Sequence, residues 1–248
     1  MTVNIEKQWE VFMDTIKTHI TGKRQKQLID FYEKIADRVL TAPASSHTSR
    51  HNCFPGGYID HVNRVVKVAL SLYDTWTVLG ANVKNYTKEE LVFAAINHDL
   101  GKVGSMTDDY YVPNDSKWHI ERGQVYKINP KLQFMKVPDR SVFLLHENGI
   151  AVSENEYLAI KLHDGLYSKG NESYLMAGQP EFALKTDLPI LLHHSDHLAT
   201  LIEAAIAHQP EVVHVAPTPN KIKSKLTGVN DPVVDQSLKD AFDEIFNS

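Results

Sequence analysis

Cysteine is almost absent: Cys53 is the only one among 248 residues. No internal disulfide can form, so stability has to come from a packed core, and a reducing cytoplasm is the expected compartment. Long apolar runs are missing too. No stretch reaches the roughly eighteen residues of a membrane span, and the opening "MTVNIEKQWE" lacks the apolar segment of a secretory signal. Nor is there an excess of positive charge. A formal net charge of −5 and an isoelectric point near 6.2 argue against a surface that grips duplex nucleic acid by releasing counterions. A small molecule is the expected partner, no membrane is expected, and a homo-oligomer stays open. No internal repeat is apparent.

Histidine, by contrast, is plentiful. The chain carries 13, and several lie inside apolar periodic segments rather than on polar faces. That placement points to a metal.

Helical periodicity dominates the rest. Residues 4–21 and 25–41 read as amphipathic helices, the second with Leu28, Phe31, Tyr32, Ile35 and Val39 at helical spacing. "TAPASSHTSRHNCFPGG" reads as a loop, followed by a helix over 58–78. In "TKEELVFAAINHDLG", Thr87 and Glu90 form a capping box, and Leu91, Ala94, Ala95 and His98 share one face of the helix that follows. Residues 105–138 have weak helical periodicity and read as an insertion, in which "QVYKIN" and "QFMKVP" alternate as a small β-hairpin would. Helices return in "PDRSVFLLHENG" and in "SENEYLAIKLHDG", where Ser153 and Glu156 form a second capping box. The segment "DLPILLHHSDHLATLIEAAIAH" predicts a long buried helix. The expected fold is all-α: one helical domain over 1–208, including N-terminal helices within 1–41. Residues 209–248 form an extension, with a Pro- and Lys-rich strap at 209–230 and a short helix at 232–246.

Three segments carry the chemistry: "GGYIDHVNRVV", "NHDLGK" and "HHSDHLA". His61 lies on the face of Val65, Val68 and Leu72, and Asp196 lies one turn after Leu192. A buried carboxylate is costly unless it is paired or bound to a cation, so Asp196 near His61, His98 and Asp99 is best explained by a metal.

The pattern of His, then His-Asp, then Asp on successive helices resembles the HD-domain superfamily of metal-dependent phosphohydrolases. It covers roughly residues 50–208 and includes the "GG" before His61 and the "LGK" after Asp99. The resemblance implies an HD-type helical bundle with His61, His98, Asp99 and Asp196 as metal ligands. "KLHDGLY" is similar to a segment that supplies a further histidine in many HD phosphodiesterases, usually as His-His-Gly. His163 takes that place and Asp164 departs from it. His119, in "KWHIERG", matches a middle histidine loosely. With both, the site would be binuclear and bridged by Asp99; with neither, one ion is held and the two histidines orient substrate. His193, His194 and His197 flank Asp196 and are not assigned as ligands, and His146 is expected to pack. Arg50 and His51 in "RHNCFPGG", Lys102 and Arg140 are the implied phosphate contacts. Cys53 is expected to be a plain buried thiol.

The implied reaction is hydrolysis of a phosphoester by water activated on one or two divalent ions, with Mn, Fe, Co, Ni, Zn and Mg all compatible. The resemblance extends to small stand-alone HD proteins of tailed-phage genomes, for which the compartment is the host cytoplasm. Deoxynucleotidases and alarmone hydrolases of the superfamily often carry an acidic residue shortly after the HD pair. Here Leu100, Gly101, Lys102, Val103 and Gly104 follow, which disfavours those two branches. A nucleotide or a cyclic or short oligonucleotide is the expected substrate. Two rival readings are an HD-fold di-iron oxygenase, which needs His119 and His163 as ligands, and a non-catalytic nucleotide sensor.

Overall fold

A computed structural model describes residues 3–81, 83–176 and 178–207. They belong to one unit, Met1–Gln209, and the strap and terminal helix expected over 209–248 lie outside the described residues. The fold is mostly helical with one small antiparallel hairpin. No helix among the described residues is long and apolar enough to cross a membrane.

Helix α1 (Ile5–His19) starts where the Asn4 side chain accepts a hydrogen bond from the Lys7 amide, and it buries Phe12, Met13 and Ile16. The helix expected over 25–41 is two. Helix α2 (Gly22–Lys34) stops at Ile35, whose backbone leaves helical geometry (φ −111°, ψ 14°), and α3 (Ala36–Thr41) resumes at once. Neither proline nor glycine marks the break. It is accompanied by a tertiary contact, because Arg38 donates to the carbonyls of Ser105 and Met106.

Helix α4 (Gly57–Val78) opens from Gly56, which sits at φ +82°, and a β-carbon on Gly57 would meet the Asn52 carbonyl oxygen at 2.0 Å. The glycine pair therefore lets the preceding loop fold tightly against the helix start. Helix α5 (Lys88–Asn97) begins at the expected capping box. Its burial is not confined to one face, since every residue from Leu91 to Asn97 is buried. A helix apolar on all sides belongs at the centre of a fold. The chain then makes one tight turn of 3-10 helix over Leu100–Val103.

The insertion holds a hairpin, with one strand other than expected. Strand β1 (Tyr111–Pro113) pairs antiparallel with β2 (Tyr126–Ile128) in the register Tyr111↔Ile128, and α6 (Lys117–Glu121) lies between them. "QVYKIN" supplies β2, but "QFMKVP" does not pair; its last two residues open α7 (Val137–Glu147). Pro138 sits in that first turn, where its missing N–H is no loss. His146, expected to pack, is exposed on α7.

Helix α8 (Glu154–Leu162) begins at the second capping box; α9 (Glu172–Leu175) and α10 (Leu188–Ala207) complete the described chain. Helix α4 packs on α5 and α10, α8 packs on α5 and α10, and α1 packs on α4 and α5. Phe12, Tyr32, Phe93, Ile96 and Leu145 are among the fully buried side chains between them. Each such group contributes about 1.5–3 kcal/mol on transfer from water, so the helical core rather than the partly exposed hairpin carries stability.

Candidate metal centre

Four of these helices deliver one polar group or pair each to a common point. His61 comes from α4, His98 and Asp99 from the end of α5, His163 from the end of α8, and Asp196 from α10. His61 Nε2 lies 3.1 Å from Asp196 Oδ1 and 3.6 Å from Asp99 Oδ2, while His98 Nε2 lies 3.5 Å from Asp99 Oδ2 and 3.9 Å from Asp196 Oδ1. His163 Nε2 lies 3.6 Å from Asp99 Oδ1. Ligand atoms about 2.1 Å from one ion are about 3.0–3.4 Å apart at octahedral and tetrahedral angles, so these separations fit a shared cation with little adjustment.

The two histidine-aspartate pairs are built alike. Helices α5 and α8 each start at a capping box, run about three turns, and end at a histidine in helical conformation followed by an aspartate. In both, the terminal histidine donates Nδ1–H to the carbonyl three residues back, His98 to Ala95 and His163 to Ile160, each at 2.8 Å. That bond fixes the tautomer and leaves the Nε2 lone pair free for a ligand. His61 obtains the same result from another helix, because its Nδ1 lies 3.1 Å from Glu203 Oε2 on α10. Glu203 is held in turn by Arg64 Nε at 3.1 Å. The Nε2 atoms of His61 and His98 are buried with no hydrogen-bond partner among the described residues. Buried polar atoms are normally paired, and two unpaired lone pairs aimed at two carboxylates are what a cation requires.

Electrostatics agree with that chemistry. Burial opposes an imidazolium at His61, but Asp196 and Glu203 outweigh it and raise its pKa to about 10. Burial likewise opposes charge on His163, and Asp99 and Asp164 overcome it to give about 9. His98 goes the other way: burial, with His163 and His61 nearby, lowers it to about 4. Burial would raise the Asp99 carboxyl, yet Lys102 and His98 hold it well below the usual range, and His61 does the same for Asp196. Without a cation, protons on His61 and His163 balance the carboxylates; a divalent ion would displace them.

A cavity of about 450 Å³ opens onto the cluster, lined by Asp99, His163 and Asp196 together with His51, Lys102 and Tyr110. Lys102 Nζ lies 2.6 Å from Asp99 Oδ2. His51 comes from the loop before α4, and its ring sits 4.7 Å from that of His61. Asn52 beside it adopts φ +43° and donates to Asp60 Oδ2 at 2.8 Å, which anchors the loop. His51 is half-buried; that burial and the His61 charge lower its pKa to about 3, and its Nε2 has no partner among the described residues.

Other expected contacts lie elsewhere. Arg50 is exposed and does not line this cavity, although its charge acts on the Tyr111 phenol. Arg140 is buried, donates to the Gln133 carbonyl at 2.5 Å, and lies over the Tyr110 ring, so it braces the wall rather than meeting a ligand. His119 belongs to none of the three ligand groups among the described residues; its Nδ1 pairs with Ser116 Oγ at 2.8 Å, three residues after the end of β1. Cys53 is half-buried, and burial pushes its thiol up, away from nucleophilic use.

Sequence reasoning missed three groups. Glu203 is seven residues after Asp196, two turns further along the same face of α10, and that spacing is a usable signal. Ser141 was not findable: its hydroxyl accepts from the Gly101 amide at 2.8 Å and pins the turn after Asp99 against α7. Gly101 permits that approach, because a β-carbon there would meet the Val137 carbonyl at 2.3 Å. Asp164, a departure from the expected His-Gly, lines the cavity 3.7 Å from His163 Nε2.

No protein-family model, no curated protein and no solved structure matches this chain.

Proposed function

We propose that this protein is a metal-dependent phosphohydrolase of the HD type that its sequence resembles, acting on a phosphoester or phosphodiester of a nucleotide or a cyclic or short oligonucleotide. One observation carries the reading. Three buried imidazoles present Nε2 to the buried Asp99 and the half-buried Asp196 at ligand-to-ligand distances, each imidazole with its Nδ1 already engaged.

His61, His98, Asp99 and Asp196 would hold the first divalent ion. His163, with Asp99 and His98, forms a second group that a further ion would use. A bound divalent ion supplies Lewis acidity, lowering the pKa of a water and offsetting charge on the phosphoryl group. The chain's own groups do the rest. Lys102, on the cavity wall, holds a positive charge beside Asp99 and meets a phosphoryl oxygen as a point charge. His51 offers a hydrogen bond from the opposite loop, and its neutral form adds no competing charge to the cluster. The di-iron oxygenase reading loses support, since it needs His119 beside His163 and His119 pairs with Ser116 instead.

The test is a screen of the metal-loaded protein against deoxynucleotides, ribonucleotides, cyclic nucleotides, ppGpp and short oligonucleotides. Turnover of one class that stops in chelator and returns with metal is the expected result. No turnover of any phosphoester with any of several metals contradicts it.

A further inference from the structure

We infer that the cavity over the cluster is a mononucleotide site in which Phe134 and Tyr167 hold the base. The inference rests on the phosphohydrolase reading only in seating the phosphate at the cluster. A volume of about 450 Å³ suits a ligand of mononucleotide size. One end of the cavity is polar, with Lys102, His51 and the cluster; Phe134 and Tyr167 line it as well, and both are largely exposed, at 76% and 81%. Two large, largely exposed aromatic side chains on one cavity set an apolar surface beside its charged groups, which is the make-up of a ligand site.

Tyr167 sits on supported backbone. Tyr167 ends a one-turn 3-10 segment, Gly165–Tyr167, which the buried Asn171 side chain ties down by donating to the Gly165 carbonyl at 2.9 Å. Its ring is stacked on His197, with centroids 5.9 Å apart and planes 24° from parallel, and His197 is stacked in turn on His193 at 6.3 Å. His193 is fixed through Nδ1 to the His163 carbonyl at 2.7 Å. Tyr167 also lies 6.3 Å from His193, so the three rings form a triangular cluster tied to the chain segment that carries His163, while most of the Tyr167 side chain stays exposed to the cavity. Phe134 lines the same cavity from the segment that leads into α7. Lys136 joins that segment to the one after Tyr167, donating from Nζ to the Lys169 carbonyl at 2.9 Å.

Lys136 and Lys169 also line the cavity, against one further carboxylate, Asp164, at its side. A ligand with an anionic group at the cluster and a flat π-face at the mouth matches both ends. Stacking a base on an aromatic ring changes affinity by about tenfold or more, and every base has a π-face, so the site favours nucleotides over sugar phosphates without fixing the base.

Calorimetric titration of the metal-loaded full chain with AMP, UMP, ribose 5-phosphate and inorganic phosphate tests this, alongside the variants Phe134→Leu and Tyr167→Leu. At least one nucleotide should bind about tenfold or more tighter than ribose 5-phosphate. Each variant should lose about tenfold for that nucleotide while keeping its metal content and its ribose 5-phosphate affinity. Nucleotides that bind no tighter than ribose 5-phosphate, absence of binding included, overturn the base site, as does unchanged nucleotide affinity in both variants. Failure of the phosphohydrolase reading looks different: the protein takes up no metal, or never turns over a phosphoester, while the base-dependent difference in affinity persists.

Discussion

His61 Nδ1 and Glu203 Oε2 meet 3.1 Å apart, both out of solvent, across the packing of α4 on α10. The carboxylate orients the imidazole so that its other nitrogen faces Asp196. An acid behind a ligand histidine raises its basicity and fixes its tautomer, and losing one typically weakens metal binding 10- to 100-fold.

Glu203→Gln should therefore lower divalent-ion affinity by about 10- to 100-fold with the fold retained, measured by competition against a chromogenic chelator. Arg64, which holds the other carboxylate oxygen, keeps the position anchored in the variant. Unchanged affinity would remove Glu203 from the account.

Lys102→Met separates charge at the substrate from charge at the metal. The ammonium sits 2.6 Å from Asp99 Oδ2, but Lys is no metal ligand while protonated, and the Asp99 charge raises its pKa against the cost of burial. Metal content should be unchanged and kcat/KM should fall by about 100-fold, as for other fixed electrostatic contacts. Loss of metal, read by elemental analysis, would contradict the assigned role.

Arg24 supports the scaffold behind the site. It reaches Glu89 at 2.5 Å and Glu156 at 2.7 Å, joining the first turns of α5 and α8, and lies over the Phe93 ring. Burial raises the Glu156 pKa even with Arg24 present. Arg24→Met leaves a buried carboxylate unpaired, at a cost of about 3 kcal/mol at pH 7. In the variant, the folded-state pKa of Glu156 lies further above its unfolded value. The cost is therefore full above that folded pKa and fades as pH falls through it, because the neutral acid needs no partner. Urea unfolding at pH 7 and pH 5 should show the gap to wild type narrowing at pH 5. An equal gap at both values would mean that the loss is packing alone.

What the sequence made legible follows from which signals are local. The capping boxes at Thr87 and Ser153 are written in residues three apart, and both are present. His61, His98, Asp99 and Asp196 stood out because polar groups on apolar faces are costly wherever the chain folds, and the four do converge. The break at Ile35 was invisible, since the contact that accompanies it, Arg38 to Ser105 and Met106, joins segments far apart in sequence. The partner of β2 was misjudged for a related reason. Alternation in "QFMKVP" looked extended, whereas Val137 and Pro138 begin a helix there and β1 comes from "YVP", too short to show a period. Arg140 read as a phosphate contact because charge alone gives no direction; its burial and its bond to the Gln133 carbonyl decide otherwise.

The central claim is that the buried His/Asp cluster binds a divalent ion that the activity requires. The most direct measurement pairs elemental analysis with phosphoester hydrolysis, on wild type and Asp99→Ala, after chelation and after metal is restored. Wild type should take up at least one equivalent and hydrolyse only when loaded, while Asp99→Ala, folded by circular dichroism, should do neither. Full hydrolysis by the metal-free protein in chelator, or by Asp99→Ala, would contradict the account.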